Sequence, residues 1–171
     1  KSTIMNLIVK FYDVSKGTLE INGKNINEYS REYLREKTAI VLQDSFLFDG
    51  TLLENITPNG NRRTAKEALE KVGGDFILKT RPLDSKVEIG GSNFSTGEKQ
   101  LICLARALAK NPKILILDES TANIDSETEQ SVGYAIEKLK QGRTTLIIAH
   151  RLSTIKNADN IFVLDKGRVV E

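Results

Sequence analysis

Residues 114–119 read ILILDE, and this short stretch decides the fold class. Its four apolar residues predict a strand that is buried on both faces, as in a parallel sheet. Two further stretches have the same form, TAIVLQ at 38–43 and TTLIIAH at 144–150. Because helical patterns lie between the three, the sequence predicts an α/β fold whose mostly parallel sheet is covered by helices on both faces.

The three predicted strands end in polar side chains, which are Gln43, the pair Asp118 and Glu119, and the only histidine, His150. Ligands of doubly wound sheets bind at the carboxyl ends of strands, so these side chains are candidates for one site. Asp118 fits either a direct ligand of Mg²⁺ or a group that contacts such a ligand, and Glu119 fits the base or the polariser of an attacking water. Taken singly, an acidic pair after a strand fits a helix cap equally well, and a lone histidine is usually a core or surface residue.

The chain begins with Lys1-Ser2-Thr3 and an apolar helical pattern, which matches the tail of the phosphate loop G-x-x-x-x-G-K-[ST]. In that loop the lysine neutralises the β- and γ-phosphates, and the hydroxyl after it binds Mg²⁺. The tripeptide alone is a weak signal, because a lysine before a helix-capping serine is common. Since the glycines and first strands would precede Lys1, we expect a sequence cut within its phosphate loop. We then expect an incomplete β-subdomain and weak nucleotide affinity.

The composition is that of an ordinary globular domain, with 171 residues, 39% hydrophobic and 28% charged residues, and a net charge of +2. The near-neutral charge disfavours nucleic acid as a partner, and a single cysteine, Cys103, excludes a disulfide within this sequence. No apolar run approaches the roughly 18 residues of a membrane span. We expect the fragment itself to be soluble and any link to a membrane to come through a partner.

Residues 93–108, NFSTGEKQLICLARAL, resemble the signature segment of ABC-type ATPases, in which L-S-G-G-Q precedes a helix with an A-R-A-L pattern. The other motifs follow in the family's order: Lys1-Ser2, Gln43, the signature, ILILDE, the STANID turn that contains Asp125, and His150. Because the resemblance spans nearly the whole chain, the chain is identified as a member of the ABC transporter nucleotide-binding domains. Residues 41–56, VLQDSFLFDGTLLENI, resemble the exporter branch, in which this domain is fused to or paired with a six-helix membrane domain.

The resemblance implies a P-loop NTPase (RecA-like) core at 1–43 and 111–171 with an inserted α-helical subdomain at about 44–110. It implies ATP and Mg²⁺ as cofactors and a second nucleotide-binding domain as a partner. A transmembrane domain, contacted through coupling helices, is the other implied partner, and the cytoplasmic face of the membrane is the implied location. The implied activity is ATP hydrolysis that drives export.

In this family each ATP lies between two facing domains, so the resemblance assigns two groups of residues. The chain's own site takes Lys1, Ser2, Thr3, Gln43, Asp118, Glu119 and His150. Of these, the metal ligands are Ser2, Gln43 and Asp118, and the catalytic residues are Glu119, His150 and Gln43. The facing domain's ATP meets Ser95, Thr96, Gly97 and Glu98, here called the signature tip, and Asp125 lies at the interface. A helix N-terminus at Ser95 suits an anion, because free N–H groups and the helix dipole point toward it.

The signature tip departs from the family pattern at two residues. Thr96 replaces a glycine and Glu98 replaces a glutamine. The side chain of Thr96 obstructs close backbone approach to phosphate, and Glu98 adds a negative charge near an anion. We therefore expect a weakened site at this tip and an asymmetric heterodimer whose partner supplies a regular signature; a homodimer is the alternative. The residues STGE also form a possible capping box, which is compatible with either arrangement.

A third departure precedes the signature. Exporters usually read V-G-E-x-G there, whereas this chain reads VEIGG, with Glu88 and Ile89 in place of Gly and Glu. We expect the contact with the coupling helices to differ accordingly.

Two other functions stay open at this stage. One is a soluble ABC-type ATPase that acts on nucleic acid or ribosomes, although no heptad pattern of a coiled coil lies between Gln43 and Ser95. The other is a regulatory module that binds ATP and closes without hydrolysis, which Glu119 and His150 argue against.

Overall fold

The computed structural model describes residues 2–42, 44–118, 126–149 and 156–171, and of 126–129 it describes only the backbone. The α-helices in these ranges are α1 (Ser2–Ile8), α2 (Arg31–Lys37), α3 (Leu52–Ile56), α4 (Arg62–Lys71), α5 (Asp75–Thr80), α6 (Thr96–Ala109) and α7 (Ser126–Lys140). The strands in the same ranges are β1 (Glu20–Ile21), β2 (Lys24–Asn25), β3 (Thr38–Val41), β4 (Gly50–Thr51), β5 (Lys86–Val87), β6 (Ile114–Asp118), β7 (Thr144–Ile148), β8 (Leu164–Asp165) and β9 (Arg168–Val169).

A three-stranded parallel sheet with the order β3-β6-β7 forms the centre of the fold. Val41 lies opposite Leu117 on one side of the central strand, and Asp118 lies opposite Ile148 on the other. The three apolar stretches therefore pair as the sequence predicts. Strand β3 ends at Val41, two residues before the predicted end.

The side chains of this sheet alternate between two apolar clusters, one on each face. On one face, Ile116 and Ile148 pack with Met5 of α1. On the other face, Leu115 and Leu117 belong to the larger cluster, to which helices α3 to α7 also contribute. Each fully buried leucine or isoleucine contributes about 1.5–3 kcal/mol. The sheet is thus covered on both faces, as a parallel sheet requires.

Side-chain caps set the starts of several helices. Ser30 accepts a hydrogen bond from the Tyr33 amide across 3.1 Å at the start of α2. Thr51 caps α3 and forms a reciprocal capping box with Glu54. Helix α6 ends before Asn111, whose φ of 48° breaks the helical path. These local signals define the starts of α2 and α3 and the end of α6.

Residues 44–110 hold helices α3 to α6 together with a strand pair that the sequence did not predict. In this pair β4 runs antiparallel to β5, with Gly50 opposite Val87 and Thr51 opposite Lys86. Strands of two residues carry no hydrophobic period, so their pairing depends on the packing of distant segments. The pair joins the segment that follows residue 43 to the segment that precedes the signature tip.

Two hairpins lie outside the central sheet. Strands β1 and β2 turn at Asn22 and Gly23, with φ values of 52° and 72°. Strands β8 and β9 turn at Lys166 and Gly167, with φ values of 44° and 80°. Both turns need a left-handed backbone, which is why an Asn-Gly or Lys-Gly pair predicts them. The sequence also predicts a short helix after Arg151, and residues 151–155 lie outside the described ranges.

Candidate active site

The carboxyl edge of the sheet carries Asp118, the last residue of the central strand. Its backbone partner is Ile148 of β7, and Leu117 before it pairs with Val41 of β3. The parallel register therefore brings the ends of all three strands to the same edge. The predicted site residues that follow these ends, Gln43, Glu119 and His150, lie outside the described residues, as do Lys1 and Asp125.

Helix α1 and Asp118 share one face of the sheet. Alternation along β6 puts Asp118 on the same face as Ile114 and Ile116, and Met5 packs into the cluster on that face. Ser2 and Thr3 are the first residues of α1, and both are exposed. The hydroxyl-bearing end of α1 is thus left exposed by the residues that the structure describes, and the half-buried Asp118 lies on the face that the helix covers.

The signature tip is the N-terminus of α6, and its cap is complete. The hydroxyl of Ser95 accepts from the Glu98 amide at 3.2 Å, while a Glu98 carboxylate oxygen accepts from the Ser95 amide at 2.8 Å. Ser95 and Thr96 are exposed, and Gly97 is buried. The capping-box interpretation is therefore confirmed, and the helix end that would face a second domain is accessible in this chain.

The capping box has an electrostatic consequence. The Glu98 carboxylate is held at the helix end, where its negative charge interacts favourably with the helix dipole. It also takes up the Ser95 amide, a donor that an incoming phosphate could otherwise use. Glu98 thus occupies part of the anion-binding capacity of the tip.

Arg106, in the middle of the A-R-A-L pattern, ties α6 to the segment that follows residue 43. Its guanidinium donates to the main-chain oxygen of Asn55 at 2.5 Å, to the Asn55 side-chain oxygen at 2.8 Å, and to the Phe46 carbonyl at 3.1 Å. It also lies over the ring of Phe48, with 5.1 Å between Cζ and the ring centroid. Burial lowers the pKa of Arg106, and the nearby Cys103 thiol opposes that shift. Sequence reasoning missed this role, because a single arginine among apolar residues does not identify its acceptors.

An exposed apolar patch, defined by Phe46, Phe48 and Ile89, lies beside this anchor. The three side chains are 50%, 60% and 74% exposed. The two phenylalanine rings meet edge to face with centroids 5.3 Å apart. The Gly90 amide donates to the Leu47 carbonyl at 2.9 Å, which joins the loop of Ile89 to the segment between the phenylalanines. Clustered apolar side chains of this kind are typical of a docking surface.

Comparison with known proteins identifies the family. The model of the family described as "ABC transporter" matches residues 1–122. A probable multidrug resistance ABC transporter ATP-binding/permease protein of Bacillus subtilis (strain 168) is 52% identical over the whole chain, which covers 26% of that protein. A beta-(1→2)glucan export ATP-binding/permease protein of Bartonella bacilliformis is 47% identical over the whole chain, which covers 30% of it.

A solved structure agrees with these relatives. The structure of a bacterial Atm1-family ABC exporter with ATP bound matches the whole chain with a TM-score of 0.88 and 39% identity, and the chain covers 31% of it. The chain therefore spans about a quarter to a third of the length of the relatives it matches. Among the described residues, no helix is long and apolar enough to cross a membrane.

The parallel sheet, the helix on each of its faces and the capped helix end at Ser95 form the P-loop NTPase fold that the sequence predicts, and they match the exporter structure over the whole chain. With a family model that matches most of the chain, these observations lead to one conclusion: the chain belongs to the ATP-binding domain family of ABC transporters.

Proposed function

We propose that this chain binds ATP with Mg²⁺ and hydrolyses it to drive export as one nucleotide-binding domain of a transporter. The observation that carries the proposal is the strand register, which aligns the carboxyl ends of β3, β6 and β7 at one edge of the sheet. Gln43, Glu119 and His150 follow the ends of these three strands by one or two residues. That short span of chain makes them suitable neighbours of Asp118 at this edge.

The oxygen-bearing side chains among the described residues of the site are suitable ligands for Mg²⁺. The Ser2 hydroxyl and the Asp118 carboxylate offer hard oxygen atoms on two elements that share one face of the sheet. Magnesium usually binds through one or two protein oxygens together with phosphate oxygens, and Gln43 would add an amide oxygen. When bound, the ion neutralises the charge that develops on the phosphates.

The chain's own residues would then perform four tasks. Lys1 and Thr3 would contact the phosphates at the start of α1. Asp118 would bind the Mg²⁺ ion and so orient the phosphates. Glu119 accepts a proton from the attacking water, and His150 donates a hydrogen bond to the γ-phosphate so that water and phosphorus stay in line. Positioning and charge stabilisation supply most of such a rate enhancement. Asp125 would transmit the state of one site to the other at the interface.

The test of hydrolysis is Glu119→Gln in the full-length transporter. The variant should bind ATP like the wild type and lose turnover by roughly 10²–10³-fold, as expected when one group that stabilises the transition state is removed. Glu137→Gln is the matched control, because Glu137 is an exposed acid on α7 that pairs with Lys140. Unchanged hydrolysis in Glu119→Gln would remove Glu119 from the mechanism. A wild type that binds ATP without turnover would favour a regulatory module, and turnover that needs nucleic acid or ribosomes would favour the soluble ATPases.

The exposed signature tip supports a dimer of facing domains, and its chemistry supports an asymmetric one. Ser95 and Thr96 are exposed, so a second domain can reach them, while Glu98 places a carboxylate where phosphate would approach. We expect the heterodimer to hydrolyse ATP faster than the homodimer, because the partner supplies an unobstructed signature. Equal turnover by a purified homodimer, with no gain from any partner, would end this part of the proposal.

The apolar patch supports docking of a transmembrane domain, and with it a location at the cytoplasmic face of a membrane. Phe46 and Phe48 follow residue 43 and Ile89 precedes the signature tip, so a coupling helix seated there would contact both segments. Ile89→Glu restores the acid of the exporter pattern and should weaken an apolar contact. We expect it to reduce substrate-stimulated turnover and to leave basal turnover unchanged; stimulation equal to the wild type would contradict this docking site.

The division into a core (1–43 and 111–171) and a helical subdomain (about 44–110) is part of the same proposal. Helices α3 to α6 and the β4–β5 pair all fall within the second range, and the central sheet falls within the first. Limited proteolysis with and without ATP would test whether the two parts change their protection separately.

A further inference from the structure

The Arg81 side chain contacts the turn that leads into the signature tip. Arg81 directly follows α5, and its own amide donates to the Ile77 carbonyl at 2.8 Å, which fixes its backbone. Its guanidinium donates to the Asn93 carbonyl at 2.6 Å. The same guanidinium lies over the Phe94 ring, with 4.4 Å between Cζ and the ring centroid. Asn93 and Phe94 are the two residues immediately before Ser95.

The turn is also organised from within. The Asn93 side chain accepts from the Glu88 amide at 3.2 Å and donates to the Lys86 carbonyl at 2.9 Å. The Ser92 hydroxyl donates to the Glu88 carboxylate at 2.6 Å. These bonds hold the turn to itself and to β5, but they do not connect it to the helices. The contact of Arg81 connects the end of the turn to α5.

The chemistry of this contact is specific to an arginine. A guanidinium is planar, so it can stack on the Phe94 ring while one of its N–H groups donates in plane to a carbonyl. Phe94 is buried in the main core, only 6% exposed, so the ring offers a fixed platform. Arg81 therefore fixes both the position and the orientation of the backbone immediately before Ser95, the cap of α6.

We propose that Arg81 is a positioning residue for ATP hydrolysis, which sets the place of the signature tip against the nucleotide of the facing domain. The inference rests on the proposed function, because the tip acts only if a second domain closes on it. Within the described part of the chain, the Arg81 guanidinium contacts Asn93 and Phe94, so it acts on the tip through these two residues. A displacement of about 1 Å at such a tip is enough to slow a positioned reaction by up to roughly a hundredfold.

The experiment uses Arg81→Met in the full-length transporter, which keeps a long apolar side chain over Phe94 and removes the donor and the charge. We expect kcat for ATP to fall at least about tenfold, while the dissociation constant of ATP, measured by binding to the resting transporter, stays unchanged. Arg81→Lys keeps the charge and one donor and should recover part of kcat. A role limited to folding would instead lower ATP binding and the melting temperature together.

The matched control is Arg62→Met, which removes another guanidinium from the same helical range, residues 44–110. Arg62 forms an exposed, bidentate ion pair with Asp84, and its guanidinium is not among the described hydrogen-bond donors to residues 88–94. Equal kcat values for Arg81→Met and Arg62→Met would overturn the inference. So would a loss of ATP binding in Arg81→Met that matched its loss of turnover.

Hydrogen exchange separates this inference from the proposed function. Arg81→Met should accelerate exchange of the Phe94 and Lys99 amides, which donate to Gly91 and Ser95, and should not change exchange in β6. If the wild type proved unable to hydrolyse ATP, the proposed function would fail on its own. Exchange at 93–99 identical in both proteins would show that Arg81 does not hold the tip, whatever the turnover.

Discussion

Arg106 of α6 donates hydrogen bonds to both oxygens of Asn55 in α3, at 2.5 Å to the main chain and 2.8 Å to the side chain. Asn55 is only 2% exposed, and its amide group donates to the carbonyls of Phe48 and Thr51 at 2.8 and 3.0 Å. The half-buried Arg106 thus donates both to a neutral amide and to the backbone of the segment after residue 43. The helix of the signature and that segment are held as one unit by this pair.

Asn55→Ala should destabilise the chain by about 3 kcal/mol, because it removes one acceptor of Arg106 and the side-chain amide that pairs with both the N–H and the carbonyl of Phe48. Urea unfolding of the purified chain measures the change. Asn59→Ala is the control, since Asn59 is exposed and accepts only a long bond of 3.4 Å from Asn61. We expect the control to stay within about 0.5 kcal/mol of the wild type. Equal urea midpoints for Asn55→Ala and Asn59→Ala would show that the contacts of the Asn55 side chain do not contribute to the free energy of unfolding.

Cys103 should react slowly with iodoacetamide at neutral and mildly alkaline pH. Burial raises the pKa of its thiol, which is the larger effect, while the nearby Arg106 guanidinium lowers it. The thiolate is the reactive form, so a raised pKa leaves less of it at any given pH. Alkylation followed by mass spectrometry, native against urea-unfolded chain from pH 7 to pH 10, measures the difference. A native rate equal to the unfolded rate at pH 8 would contradict the protection.

The same shift makes stability depend on pH in a defined direction. The folded thiol keeps its proton to a higher pH than the unfolded thiol, whose pKa is about 8.5. The stabilisation from Cys103 is therefore fully present below that unfolded value and is lost as the pH rises through the raised folded value.

The central part of the fold could be predicted because its signals are local. The run ILILD is itself β6, Ser30 is itself the cap of α2, and Lys166-Gly167 is itself the left-handed turn of the last hairpin. Each feature depends on residues within four positions along the chain, and a sequence pattern describes that range directly. The Ser95–Glu98 capping box was predictable for the same reason.

The contacts that surround the candidate site could not be predicted, because they join distant residues. Arg106 lies 51 positions from Asn55, and Arg81 lies 12 positions from Asn93. Which carbonyl an arginine meets depends on how α3, α5 and α6 pack, and single residues do not specify that packing. The β4–β5 pair is a further case, since two residues per strand give no period to recognise.

Gly91→Ala should destabilise the chain more than Gly90→Ala, although the two glycines are neighbours with φ values of 66° and 70°. Both substitutions force a side chain into a left-handed backbone, at about 1–2 kcal/mol. At Gly91 the added Cβ would also lie 2.9 Å from Leu47 Cδ1 and 2.9 Å from Lys99 Cδ, whereas at Gly90 the nearest atom, Phe46 Cε2, lies 3.9 Å away. Since Leu47 is fully buried, we expect a further cost of about 1–3 kcal/mol at Gly91. Thermal unfolding of both variants measures the difference in stability. Equal melting temperatures would show that the Leu47 side chain moves aside without loss of stability.

Ser95→Ala and Thr51→Ala should have equal effects on stability and unequal effects on turnover. Both residues cap a helix through a reciprocal box, Ser95 with Glu98 and Thr51 with Glu54, so each substitution should cost about 1 kcal/mol. Only Ser95 belongs to the signature tip. We therefore expect Ser95→Ala alone to lower ATP turnover in the full-length transporter, because the proposed function places this hydroxyl against the nucleotide of a facing domain. Turnover assays beside thermal melts separate the two effects, and parallel losses of turnover in both variants would mean that the cap, and not its place at the interface, determines the rate.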